Sequence, residues 1–159
     1  SLSRFLWAKK TVERAAGLVT AHDEFIAKHN LQNQTLADVE QAFQTNFYSF
    51  HPGMRTDKGE MILWARPRFL NWKEIEPQQV QLFMFFCINT MTKAFPETKA
   101  KGLCLVIDWR GAGWKNFNRK LPPLMLKMVQ ECLPARMKVI AHLEQPTFFS
   151  MVWAIVSPL

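Results

Sequence analysis

From Gly102 to Asp108 the chain reads Gly-Leu-Cys-Leu-Val-Ile-Asp, a short apolar run with no polar residue before its end. Such a run marks a strand covered on both faces, the position of a parallel strand in an α/β sheet. Leu121 to Leu133 follows as an amphipathic helix opened by Pro122-Pro123, with Leu124, Met125, Met128, Val129 and Cys132 as its apolar positions. Met137 to Leu143 reads as a second apolar strand and Thr147 to Val156 as a final apolar helix. Strand, helix, strand, helix implies a parallel pair joined by a right-handed crossover. The predicted fold class is α/β, an N-terminal helical region followed by a mostly parallel sheet flanked by helices.

The first half supplies the rest. Leu2, Phe5 and Leu6 make a short apolar face. Thr11 then caps a helix through Val12, Ala15, Ala16, Val19 and Ile26 that ends near His29-Asn30. Thr35 caps a third segment bearing Leu36, Val39, Ala42 and Phe43 on one face. Phe47–Phe50 and Met61–Ala65 read as short strands around a turn at Asp57-Lys58-Gly59, and Pro67 ends the second. A long helix spans Pro77 to Ala94, with Val80, Phe83, Cys87, Thr90, Met91 and Ala94 on one stripe and Phe85, Phe86 and Ile88 widening it. That breadth predicts burial on two sides. The expected organisation is a helical region over residues 1–45 and an α/β domain over 46–159.

Hydrophobic residues make up 48% of the 159 and charged residues 21%, a balance that excludes a disordered chain. No run of about 18 uncharged apolar residues occurs, so no transmembrane helix is expected. Cys87, Cys104 and Cys132 sit singly in apolar stretches and read as reduced, packed thiols of a cytoplasmic protein. His22 and His29 lie seven apart without third and fourth ligands, His51 sits beside Pro52 in a turn, and His142 lies in an apolar strand. Neither a metal nor a cofactor is expected. Gly111-Ala112-Gly113 lacks the rest of a phosphate-loop pattern, Asp108 has no nearby His or Lys partner, and Ser49, Ser150 and Ser157 lack a nucleophile-elbow context. No catalytic residues emerge, and an enzyme is not expected. Trp64-Ala65-Arg66-Pro67-Arg68 and Trp109 to Lys115 interleave aromatics with cations, but acids lie between the basic residues along the chain. The +7 net charge suits an anionic membrane surface equally well, and no nucleic-acid partner is expected.

Four stretches carry a family resemblance. Phe5-Leu6-Trp7-Ala8-Lys9-Lys10 with Thr11-Val12-Glu13-Arg14-Ala15, Gly102 to Gly111, Leu133-Pro134-Ala135-Arg136-Met137-Lys138, and Pro146 to Leu159 resemble, in order, the motifs of the CRAL-TRIO lipid-binding family. In the last stretch Pro146, Phe149, Trp153 and Pro158 keep the family register, while Glu144 stands where an Asn is usual. Asn116-Phe117 and the run from Leu133 resemble the branch found as a module of a tyrosine phosphatase.

The resemblance implies non-enzymatic binding, and transfer, of a lipid or isoprenoid-like ligand in an apolar pocket with the sheet as floor and a gate helix as lid. It places Phe83, Phe86, Leu105, Ile107, Phe148, Phe149, Val152, Trp153 and Val156 against the lipid. Without it, Phe148 to Val156 reads as a helix packed in a core. Arg136 and Lys138 match a basic pair that meets phosphoinositide phosphate or headgroup, and alternation along a strand turns both to one side. Their alternative reading is two solvated charges. The implied partners are one lipid and an anionic, phosphoinositide-bearing membrane, with a cytoplasmic, peripherally membrane-associated location. The competing function is a membrane- or protein-targeting module of a larger signalling protein without lipid cargo. Family members continue past the gate, so the chain reads as incomplete at its C-terminus, and a half-lidded pocket predicts self-association.

Overall fold

The structure, a computed structural model, describes residues 11–133 and 135–156, with only the backbone of Lys99, Ile155 and Val156. The readings at Leu2–Lys10, Pro134, Pro158 and the Val156 side chain lie outside the described residues.

Helix α1, Val12–Lys28, begins where the sequence predicts: the Thr11 side chain accepts a hydrogen bond from the Arg14 amide. Its Phe25 ring packs on Phe85, and the buried His22 ring donates from Nδ1 to the Cys132 carbonyl at 2.6 Å. A 3₁₀ turn, Ala37–Val39, leads into the short helix α2, Glu40–Gln44. Thr35 does not cap this segment through its own oxygen. Instead Asp38 Oδ2 accepts from the Thr35 amide and hydroxyl, because Thr35 stands one residue too early. Val39 and Ala42 are buried, whereas Leu36 and Phe43 are exposed, so the predicted four-residue face is half as wide.

Strands β1, Tyr48–Arg55, and β2, Met61–Ala65, pair antiparallel around the Asp57-Lys58 turn, which Gly59 closes at φ +85°. Strand β1 is longer than the sequence suggested, so His51 and Pro52 belong to it rather than to a turn. It is the sheet's edge, and its register breaks between Phe50 and Arg55, where a proline costs no ladder hydrogen bond. After the 3₁₀ turn Pro67–Phe69 comes helix α3, Pro77–Ala94, with a Glu76–Gln79 capping box. A one-turn helix α4, Glu97–Lys101, and then β3, Leu103–Asp108, follow. Helix α5, Leu121–Glu131, β4, Met137–Leu143, and helix α6, Phe149–Val156, complete the described chain.

The sheet order is β1-β2-β3-β4, with β2, β3 and β4 mutually parallel. The Leu63/Leu105 face carries α3 and α5 in one continuous core, which also takes in Phe83, Phe85, Ile88, Met91, Met128 and Leu133. The expected two-sided burial of α3 holds: Met84 turns toward the sheet side, and Phe85 meets Phe25 and His22 of α1. The three cysteines are free and buried, and burial pushes the Cys87 thiol up to about 12 and Cys132 to about 11.

Gly102 joins α4 to β3 at φ +86°, and a Cβ there would stand 2.7 Å from the Arg136 carbonyl oxygen. That carbonyl accepts from the Leu103 amide at 2.9 Å and holds the start of the β3–β4 ladder. Gly102→Ala is expected to cost about 1–3 kcal/mol in chemical denaturation, through left-handed strain and displacement of that carbonyl. An unchanged denaturation midpoint would contradict this placement.

Candidate functional site

The parallel strands present Leu105, Ile107, Ile140 and His142 to the α5 side, yet α5 does not close down on them. A cavity of about 900 Å³ lies between. Its floor is Tyr48, Ala65, Leu105, Ile107, Met137, Ile140 and His142, and its far wall is Leu121, Met125, Leu126 and Val129 of α5. Pro67, Leu70, Trp72 and Met84 close one end. Phe149, Ser150, Val152 and Trp153 of α6 cover the other, with Gln145 and Pro146 beside them. Among the described residues no Lys, Arg, Asp or Glu lines it.

Two parallel stripes on α5 produce this geometry. Leu124, Met128 and Cys132 recur at i, i+4 and i+8; of these Met128 and Cys132 are buried in the core, and the Leu124 carbonyl accepts from Gln81 of α3. Leu121, Met125 and Val129 form a second stripe one residue further round, and it faces the cavity.

The α6 end is a seam of rings. Trp109 follows β3 and His142 lies near the end of β4, with rings nearly parallel (14°) and 6.3 Å apart. The Trp109 indole Nε1–H donates to His142 Nδ1 at 3.0 Å. Phe149 meets His142 edge-on at 4.8 Å and Trp109 at 5.8 Å, and Trp153 stacks beyond it at 6.4 Å. Phe148 turns to the outer side of this seam, against Trp114 and Phe117. Trp109 itself is thereby a buried packing element, while Arg110 and Trp114 of the same stretch are exposed. Glu144, where β4 turns toward α6, takes the left-handed region at φ +47°, which Asn adopts at lower cost.

Of the residues expected against a lipid, Leu105, Ile107, Phe149, Val152 and Trp153 line the cavity. Phe83 packs on Tyr48 and Phe43 in the core, Phe86 is half-buried, Phe148 packs on Trp114, and none of these three lines the cavity. On α3 it is Met84 that reaches the space, one residue from the position expected. The α5 stripe, Trp72, Trp109 and His142 were missed. The doubled apolar stripe of α5 was a readable signal; the ring pairing of Trp109 and His142, 33 residues apart, was not.

Arg136 and Lys138 stand at the opposite end of the sheet from Gln145 and Pro146. The seven residues of β4 separate the two ends by roughly 20 Å. Leu103 pairs with Met137 but Cys104 with Val139, so Lys138 occupies a bulge and simple alternation does not align the two cations. Lys138 Nζ lies 3.9 Å from Oε1 of the buried Glu60, which Thr56 also hydrogen-bonds, while Arg136 is exposed.

Asp108 points away from the cavity, being out of phase with Leu105 and Ile107 along β3. It is 1% exposed, and Arg110 clasps it at 2.8 and 2.7 Å with Arg68 at 3.5 Å. Hydrogen bonds from Arg110, ahead of the charges of Arg110 and Arg68, hold its carboxyl far below the usual range. It is a structural carboxylate that fixes the turn after β3. His22, bonded to Cys132, and His29, whose Nδ1 lies 3.1 Å from Gln78 Nε2, serve packing. Among the described residues no group of three His, Cys, Asp or Glu gathers in metal-binding reach.

Burial lowers the His142 pKa below its ordinary 6.5, and no charged neighbour contributes. The folded state therefore favours the neutral ring. The stability this confers is complete above about 6.5 and is lost as pH falls from there through the lower folded value. Between about pH 7.5 and pH 5, His142→Phe should lose less thermal stability than the unmodified chain, followed by circular dichroism. Equal losses in both would contradict this.

The sequence model of the CRAL/TRIO domain matches residues 44–159. The mouse and human proteins named tyrosine-protein phosphatase non-receptor type 9 are each 28% identical over 76 residues, 48% of this chain. The matched stretch spans 13% of those relatives' length. No described helix is long and apolar enough to cross a membrane. With its α/β architecture and the match over residues 44–159, the chain belongs to the CRAL/TRIO domain family of lipid-binding modules.

Proposed function

We propose that this domain binds one lipid-like molecule, without catalysis, in the cavity between the sheet and α5, and that α6 is the lid through which the cargo passes. The observation that carries this is the 900 Å³ space lined almost wholly by apolar side chains and closed at one end by an eight-residue apolar helix. An interior that loses partner atoms over such a volume recovers dispersion contacts and leaves less apolar surface wet when a hydrocarbon fills it. Helix α6 is suited to a lid because it is apolar on more than one side. Val152 is buried, Trp153 lines the cavity while 54% exposed, and Met151 is 53% exposed on the outside. Against a bilayer, these side chains exchange protein contact for acyl-chain contact at little net cost. Exposed Trp114, next to Phe148, extends the apolar rim.

Arg136 and Lys138 are proposed to meet phosphoinositide phosphate at the membrane. Both are exposed, and the reach from Lys138 to Glu60 is long enough to be surrendered to a stronger anion. The phosphatase activity in the relatives' name is not carried over, since only 13% of those proteins aligns with this chain. A cytoplasmic protein meeting membranes peripherally is the setting this reading implies.

The test is loading from vesicles of total cellular lipid extract, followed by re-isolation and counting of lipid per chain. One lipid per chain is expected. Leu105→Trp combined with Val129→Trp, which fills the space from floor and wall, should lower loading about tenfold with helicity retained. Undiminished loading would contradict the cavity as the site. Separately, Arg136→Glu with Lys138→Glu should weaken co-sedimentation with phosphoinositide vesicles more than about tenfold, each cation near an anionic surface contributing about 1 kcal/mol. Unchanged sedimentation would refute the basic contact.

A further inference from the structure

Away from the lid most of the cavity's polar side chains are committed elsewhere, and the unpaired Trp72 indole N–H is itself buried from the space. The Tyr48 hydroxyl donates to Met84 Sδ at 3.4 Å, and Asn116 Nδ2 donates to the Arg68 and Leu70 carbonyls while its Oδ1 accepts from the Gly113 amide. Asn118 Oδ1 accepts from the Lys120 amide. At the lid end stand His142, Gln145 and Ser150. Gln145 and Ser150 are exposed and already reach water, whereas His142 is half-buried and fixed by its neighbours.

Trp109 decides which proton His142 carries. An indole N–H can only donate, so Nδ1, 3.0 Å away, must offer a lone pair. The neutral ring then bears its proton on Nε2, which has no hydrogen-bond acceptor among the described residues. Titratable groups near the ring do not compete for it. Asp108 on the adjacent strand is turned to the other face and held by Arg110, and the cavity-lining positions of α5 and α6 carry no charge.

We infer that His142 is the polar anchor of the cavity, its Nε2–H donating to an uncharged oxygen (hydroxyl, carbonyl or ester) at one end of an otherwise apolar cargo. The site then prefers a neutral oxygenated lipid over a bare hydrocarbon and over a lipid with an ionised group at that end. A hydrocarbon leaves the donor unsatisfied. An ionised carboxylate enters a space with no cation on its walls among the described residues, and drawing a second proton onto the imidazole would set Nδ1–H against the Trp109 N–H. This inference rests on the proposed function and names the class of cargo.

Three probes of one C20 branched skeleton test it: phytol, phytane and phytanic acid, the last ionised at about pH 7.5, each competing with a bound fluorescent fatty alcohol. The chain should bind phytol roughly tenfold more tightly than phytane or phytanate, the cost expected for one unmade buried hydrogen bond or one uncompensated charge. His142→Phe should still bind phytane but lose the preference for phytol, and His142→Gln, which keeps an N–H donor, should restore part of it. Equal binding of phytol and phytane, a preference that survives His142→Phe, or phytanate binding as tight as phytol would overturn the inference. Failure of all three probes to bind would instead remove the proposed function on which it rests.

Discussion

Strand β3 lies between β2 and β4, parallel to both, and the rest of the molecule follows from that placement. Parallel neighbours require the chain to leave one end of the sheet and re-enter at the other, and each return is made by a helix. Because the strand order runs in one direction from β2 to β4, both returning helices, α3 and α5, share the Leu63/Leu105 face. Helix α3 packs tightly over the β2 side. Helix α5 meets α3 through Met128 and Cys132 and must then span the β3–β4 side with its second stripe. The floor residues there, Ile107, His142 and Ala65, lie in the carboxyl halves of their strands, where α/β sheets commonly place ligand sites.

Polar chemistry is arranged around this space rather than in it. Asp108, Arg110 and Arg68 fix the turn after β3 on the outer face, which sets Trp109 against His142. Trp109 and His142 in turn make the surface on which Phe149 and Trp153 rest. Placement of α6 and the tautomer of the histidine therefore rest on one ion cluster and one hydrogen bond. The basic pair Arg136 and Lys138 sits at the far end of the sheet from α6.

The fold was largely legible in the sequence because its signals are local. The bounds of Pro77–Ala94 and Met137–Leu143 coincide with their apolar runs, and the continuous run at Leu103–Ile107 betrays a doubly covered strand. The family motifs then pointed to a lid at Phe149 to Trp153. Failures occurred where the outcome depends on partners distant in sequence. Phe83 and Phe86 look more lipophilic than Met84, but helix rotation, set by α1 and the sheet, gives the cavity to Met84. Alternation could not reveal the bulge at Lys138, which arises from register against Leu103 and Cys104. His142 read as one polar residue in an apolar strand, since only the fold brings Trp109 to its Nδ1.

The central claim is that the space beneath α5 and α6 is a container for a single apolar molecule. Native mass spectrometry of the chain purified from cells without detergent tests it most directly, with organic extraction to recover whatever is bound. The account predicts a population carrying one small hydrophobic molecule per chain, which dissociates on activation and is recovered in the extract. A chain of bare mass with an empty extract, obtained also after incubation with lipid vesicles, would contradict it.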